Sequence, residues 1–357
     1  MSEAFAQLVR ERKVIICAGP GGVGKTTAAA AVALEAAAAG RRACVVTIDP
    51  ARRLADALGL AALTNDPNQV AGVGPGELWA LMLDTKTTFD AVVTRYASTP
   101  AQAEAILANR LYRNISGALG GTQEYMAMEK LYELSEDPRF DLIVVDTPPT
   151  RNALDFLEAP QRLTRFLSNR FFRLLMMPTR AGLRAVNVAT QVFLRSVSRV
   201  VGGEVVRDAV AFFTAFEGME QGFRERSELM GKMLTETDTA FVVVAAPRRD
   251  AVDEAVYFAG RLKAASLSVD AVVVNRVIPR WSPVPSLTAT GALGDLLVNL
   301  RQLDDIARRE EHYIDLLISQ AAGAIAVRVP YLEGDVHDLA SLAAVGAHLF
   351  GPDLPGT

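Results

Sequence analysis

The chain has 357 residues, of which 50% are hydrophobic and 22% charged, with a formal net charge of −4. That length carries one large α/β domain or two modest ones with a sizeable core, and the slightly acidic balance lacks the basic stripe that nucleic acid selects, so no nucleic-acid partner is expected. Cys17 and Cys44, the two cysteines, sit in apolar runs. They exclude a disulfide framework or a four-thiolate metal site and favour a reduced, cytoplasmic setting.

The opening MSEAFAQLVRERKV lacks the apolar segment of a signal peptide. No uncharged apolar stretch reaches the roughly 18 residues that span a bilayer, so the chain is not expected to be integral to a membrane. The first predicted strand is Val14 to Ala18, followed by an Ala-rich helix from about Gly24 to Ala39. Between them lies GPGGVGKTT, Gly19 to Thr27, which fits the phosphate-loop pattern in its required strand-to-helix context. Gly21, Gly22, Val23 and Gly24 would turn backbone N–H groups toward phosphate oxygens. Lys25 would bridge the β- and γ-phosphates of ATP, Thr26 would ligate Mg²⁺, and Thr27 would complete the binding turn.

A second strand, Ala43 to Ile48, ends at Asp49. Its carboxylate suits polarising an attacking water, and equally suits N-capping of the segment after Pro50. Further strands are predicted at Leu78 to Leu83, Leu142 to Val145, Phe241 to Ala246, Ala271 to Asn275 and Ala324 to Val329. Most are continuous apolar runs, so the expected fold is α/β, a doubly wound and mostly parallel sheet of the P-loop type. Asp146 closes the Leu142 strand and would hold the Mg²⁺ shell through water.

Between about Phe89 and Asp238 the pattern turns helical. The expected division is a core of 1–88, 139–150 and 238–357, with a helical subdomain inserted as 89–138 and 151–237. Leu163, Phe166, Leu167, Phe171, Leu174 and Leu175 recur at helical spacing, and Val205, Val206, Phe212, Phe213 and Phe216 add apolar content. Seven of the nine methionines, at 126, 128, 176, 177, 219, 230 and 233, lie here. Such residues suit a groove for an apolar protein client, and they also fill cores and dimer contacts. The charged run 301–311 is expected to form a solvated helix face.

These motifs, in this order, resemble the arsenite-pump and tail-anchored-protein-targeting ATPase family, from about residue 12 to 347. The resemblance assigns Asp49-Pro50-Ala51 to switch I, with Arg52 in place of histidine, and Asp146-Thr147-Pro148-Pro149-Thr150 to switch II, with Arg151 and Asn152 in place of glycine and histidine. It implies that Val273-Val274-Asn275-Arg276 reads adenine and that Pro330 and Tyr331 form a second adenine wall. The family's phosphate loop carries a lysine that crosses the dimer, where this chain has Pro20. Targeting members hold zinc through C-x-x-C after the adenine-reading strand, but residues 276–290 contain no cysteine, so no zinc is expected. With one phosphate loop, the resemblance implies a dimer, either a homodimer or a heterodimer with a lysine-bearing paralogue. Arg52 or Arg151 could replace the missing charge, or simply be surface residues.

The function expected is Mg-dependent ATP hydrolysis by a dimeric switch whose nucleotide state sets binding of a protein client or membrane partner. The alternatives are a weakly active regulatory subunit of a heterodimer and a P-loop small-molecule ligase or kinase. A partitioning ATPase would call for a basic patch or an amphipathic tail, which GPDLPGT is not.

Overall fold

The computed structural model describes residues 2–49, 53–115, 122–149, 155–160, 219–280 and 289–351, with isolated positions between 162 and 218. Two compact units emerge. One comprises 1–83, 133–154 and 235–357, and the other 84–132 and 155–234.

The first unit is built on an eight-stranded sheet. Its strands are β1 (Val14–Ala18), β2 (Arg42–Thr47), β3 (Asn68–Val70), β4 (Glu77–Met82), β5 (Leu142–Asp146), β6 (Thr239–Ala245), β7 (Ala271–Val277) and β8 (Ile325–Pro330). They lie in the order β3-β4-β2-β5-β1-β6-β7-β8, and all neighbours are parallel except β3 and β4. The doubly wound, mostly parallel sheet expected from the apolar runs is therefore present. Each predicted strand appears within two residues of its expected bounds, whereas β3 has no counterpart in the sequence reading. Its Asn-Gln-Val sequence carries no apolar run, and pairing with β4 makes it a strand.

The chain winds to one side of β1 through β5, β2 and β4, and to the other through β6, β7 and β8. β1 is thus the switch point, where the carboxyl ends of parallel strands open a crevice. The chain opens with helix α1 (Ser2–Glu11), and the helix that follows β1, α2 (Lys25–Ala38), is so rich in alanine that it packs closely against β2 and β5, with positions 28–34 all buried. Its far side is covered by a helix near the C-terminus, Leu339–Phe350, where a Cβ on Gly346 would stand 2.3 Å from the Glu35 carboxylate. The sheet residues and α2 form one core, so the loop joining β1 to α2 is anchored at both ends.

The 29-residue helix Ala292–Gln320 contains the charged run 301–311. The expected solvated face is present, with Arg301, Asp305, Arg308 and Arg309 exposed, while three acids of the run are held on the packed side. Asp304 is buried and pairs with Arg308, Glu310 accepts the Ile278 N–H at 2.8 Å, and Glu311 pairs with Arg328 at 2.6 Å. Asp304, Ala307 and Glu311 follow Leu297 and precede Ile314 on one helical stripe, so these acids belong to the packed side.

The second unit is helical, with helices at Thr85–Tyr96, Pro100–Ala108, Arg110–Ile115, Thr122–Ser135 and Glu220–Thr235 as its main described elements. Tyr112 stacks on Phe212 and lies tilted against Phe89, and Phe216 stacks on Phe223 at 5.2 Å. Met126, Met128, Met219, Met230 and Met233 are all buried, which makes these five core residues rather than the lining of an open groove. Met176, Met177, Leu163, Phe166, Leu167, Phe171, Leu174, Leu175, Val205, Val206 and Phe213 lie outside the described residues. At this unit's centre Glu129 is fully buried, and one of its oxygens meets Arg95 at 3.1 Å and Arg226 at 2.9 Å.

Candidate functional site

The loop between β1 and α2 takes its shape from glycines that no side chain could replace. A Cβ on Gly19 would stand 1.9 Å from the Val244 carbonyl oxygen of β6. Gly24, the N-cap of α2, has φ 93°, and a Cβ there would collide with the Asn275 amide at 2.3 Å. The loop curls over the helix N-terminus, where unsatisfied N–H groups favour an anion. Lys25 Nζ donates to the Pro20 carbonyl at 2.8 Å and is largely buried, and that burial lowers its pKa.

Beside the loop stands the buried carboxylate of Asp146. Parallel pairing of β2 with β5 sets Thr47 opposite Asp146, and Thr47 Oγ1 donates to Asp146 Oδ2 at 2.9 Å. Thr26 Oγ1 donates to the same oxygen at 2.7 Å. The other oxygen, Oδ1, is buried without a hydrogen-bond partner. Burial pushes the Asp146 pKa up to about 6, against the opposing pull of the two hydroxyls and Lys25. An orphaned carboxylate oxygen beside a threonine hydroxyl fits a hard divalent cation with oxygen ligands, so the residues present suit Mg²⁺.

Asp49 follows β2. Its N–H donates to Thr47 Oγ1 at 3.2 Å, and its carboxylate lies 3.8 Å from Arg53 Nη1. The loop, Lys25, Thr26, Thr27, Asp49 and Asp146 line one cavity of about 360 Å³, which Arg53, Asp56 and Arg276 also line. Of the residues expected for nucleotide binding, Gly21, Gly22, Gly24, Lys25, Thr26, Thr27 and Arg276 meet there, while Val23 is buried behind the loop.

The expected adenine-reading residues stand differently. Asn275 Nδ2 donates to the Val23 carbonyl at 2.8 Å and its Oδ1 accepts from Arg276 N–H at 2.9 Å, so half of its hydrogen-bonding capacity serves the loop and its own turn. Arg276 Nη1 donates to the Gly22 carbonyl at 3.2 Å. Pro330 is buried at the end of β8, and Tyr331 is 67% exposed with its N–H on Val277 O. Pro50, Ala51, Arg52, Thr150, Arg151 and Asn152 lie outside the described residues.

Sequence reasoning missed Thr47, Arg53 and Asp56. Thr47 had one signal, its place two residues before Asp49 at a strand end, but its bond to Asp146 depends on strand order. Among the described residues no cluster of His, Cys, Asp and Glu is arranged to hold a metal by itself, and no helix is long and apolar enough to cross a membrane.

A glycine-shaped loop at the switch point, with a lysine, a threonine and a buried strand-end aspartate around it, defines a P-loop nucleoside-triphosphatase. Residues 12–290 match the family described as anion-transporting ATPase. An uncharacterised protein of Streptomyces coelicolor is 30% identical over 275 residues, covering 77% of this chain and 65% of its own length. The ATPase ASNA1 homolog of Dictyostelium discoideum is 25% identical over 346 residues, 97% of this chain and 92% of that protein. ATPase GET3 of Malassezia globosa is 24% identical, covering 96% and 92% of the two chains. The chain belongs to the anion-transporting ATPase family, and it is an ATPase.

Proposed function

We propose that this chain hydrolyses Mg-ATP in the cavity around Lys25 and works as a dimeric cytoplasmic switch, its nucleotide state setting the affinity of its helical unit for an apolar protein client or a membrane partner. The observation that carries the reading is the orphaned Oδ1 of Asp146, buried next to the Thr26 hydroxyl at the rim of the phosphate loop. Bound Mg²⁺ would neutralise phosphate charge, held by Thr26 and, through water, by Asp146. Lys25 is withdrawn from bulk water, so its charge acts on phosphate oxygens at low dielectric. Asp49 lines the same cavity with its backbone pinned by Thr47, a placement that suits accepting a proton from the attacking water.

Pro20 presents only its carbonyl, to Lys25, so any second cation must come from elsewhere in the chain or from a partner. A lysine-bearing paralogue in a heterodimer supplies it in the reading we favour, and a homodimer is the simpler form of the same switch. A ligase or kinase reading would place a second polar substrate beside Asp49.

The test is ATP binding and phosphate release with Mg²⁺ and with chelator. Lys25→Ala is expected to abolish both in a protein that remains folded, and Asp49→Asn to lower turnover by about 10²-fold with ATP affinity retained. Added paralogue is expected to raise wild-type turnover. Equal ATP affinity in folded Lys25→Ala would sink the assignment, and a strict requirement for a third substrate would favour the ligase reading.

A further inference from the structure

Arg276 holds a backbone conformation that its side chain makes unfavourable. Among the described residues two non-glycines have positive φ, Ser266 at 61° and Arg276 at 62°. Ser266 follows the C-terminus of the helix Arg249–Ala264, where left-handed residues are ordinary terminators. Arg276 lies inside a strand, at a register shift of β7 on β8 between Asn275 and Val277. A Cβ is strained in this region and glycine is not. Strain of this kind persists where the side chain has a task, so the guanidinium is where that task should be sought.

The guanidinium stands at the phosphate loop. It donates to the Gly22 carbonyl at 3.2 Å, one residue before the carbonyl that accepts from Asn275. Two consecutive residues of β7 therefore hold two consecutive residues of the loop. Arg276 also lines the cavity with two other cations, whose surroundings differ from its own. Lys25 is turned onto Pro20 O, and Arg53 lies 3.8 Å from the Asp49 carboxylate. Arg276 is exposed, and among the described residues it meets a main-chain carbonyl and no carboxylate. A guanidinium has five N–H donors in a planar fork, so one can stay on Gly22 while others meet a phosphate, the charged acceptor that its geometry fits best.

We propose that Arg276 is a phosphate-binding cation supplied in cis, which stays anchored on Gly22 and grips the polyphosphate of the nucleotide, rather than part of an adenine reader. This rests on the nucleotide reading of the cavity. The left-handed backbone at the β7 bulge aims the side chain back over the loop, and a relaxed strand conformation would send it elsewhere.

The experiment uses the full chain and titrates ATP against wild type, Lys25→Ala and Arg276→Gly, with melting temperatures recorded in parallel. Glycine relieves the backbone strain, so Arg276→Gly is expected to melt at or above the wild-type temperature while its ATP dissociation constant rises about tenfold, the scale of one charge-assisted hydrogen bond. Guanidinium chloride, well below denaturing concentration, is expected to restore part of that affinity to Arg276→Gly, and an equal ionic strength of sodium chloride is not. Wild-type affinity in Arg276→Gly overturns the proposal alone. So does a weakened variant that melts lower and gains nothing from guanidinium, since the arginine would then be structural. A wild type that fails to bind ATP overturns the nucleotide reading, and this one with it.

Discussion

In the sheet unit the buried carboxylate of Asp146 rests on two hydroxyls, whereas in the helical unit the buried carboxylate of Glu129 rests on two guanidinium groups. Arg226 is itself mostly buried and lies 4.0 Å over the Tyr132 ring, so charge and packing close around Glu129 together. Each acid has one oxygen that makes no hydrogen bond, Glu129 Oε2 and Asp146 Oδ1, but Asp146 lines a cavity and, among the described residues, has no guanidinium beside it, and burial raises its pKa to about 6. A buried acid that brings its own counter-charge is neutralised as folded. One that brings only neutral donors is poised for a cation from outside, at a standing cost to the empty protein.

The largest expected effect lies on the structural side of this contrast. Glu129→Ala leaves Arg226 with its charge uncompensated in a mostly buried position, and is expected to lower unfolding free energy by about 3–5 kcal/mol, the scale for breaking a buried ion pair. Urea unfolding of Glu129→Ala, Arg226→Ala and the double variant would measure this together with the coupling. If Glu129→Ala shifts stability by less than about 1 kcal/mol, the two acids do not differ in the way described.

Asp146 should behave in the opposite sense. Its folded pKa of about 6 lies above its ordinary 3.8, so the folded state binds the proton more tightly than the unfolded state. The associated stability is fully present below about pH 4 and is lost as pH rises through about 6, in total on the order of 3 kcal/mol. Asp146→Asn cannot ionise, so in chelator at pH 7.5 it is expected to be more stable than wild type, with the advantage vanishing toward pH 4. The same variant is expected to lose the stabilisation that Mg-ATP gives the wild type. Melting curves across pH, with and without Mg-ATP, check both halves. A variant less stable than wild type at pH 7.5 without ligand would remove the case for a site held ready.

The contrast also marks what the sequence makes legible. Continuous runs such as Val14 to Ala18 and Leu142 to Val145 locate the central strands because strands covered on both faces must be apolar throughout. The phosphate loop is readable because its glycines and its Lys25-Thr26 pair stand at fixed spacing within one short segment, although Gly19 and Gly24 also answer to Val244 and Asn275 far along the chain. What depends on strand order is not readable in this way. Thr47 meets Asp146 because β2 lies beside β5, across 99 residues of sequence, and β3 exists through its pairing with β4. Composition could not decide between core and groove for Met126, Met128, Met219, Met230 and Met233, since burial is a property of the packed unit. The run 301–311 is legible only in part for a similar reason: Arg301, Asp305, Arg308 and Arg309 are exposed as their charge suggests, whereas Glu311 pairs with Arg328 of β8.

The smallest expected effect sharpens the comparison at Thr47. Its hydroxyl donates to Asp146 Oδ2 and accepts from the N–H of Asp49, so one side chain ties the metal-side acid to the acid proposed to act on water. Valine keeps the branched shape and removes both bonds. Asp146 Oδ2 keeps its bond from Thr26, so Thr47→Val strands no buried charge and is expected to cost about 1 kcal/mol. The lost bond is one of those that lower the Asp146 pKa. Its midpoint should therefore rise above about 6, and the pH-dependent loss of stability should move upward with it. With its N–H no longer held, Asp49 should be placed less well, so turnover should fall by a few-fold while ATP affinity changes little. Melting curves across pH and steady-state turnover read these together. A loss as large as that for Glu129→Ala would mean that hydroxyls secure Asp146 as firmly as guanidinium groups secure Glu129, and the distinction between an acid neutralised by the fold and one awaiting a cation would fail.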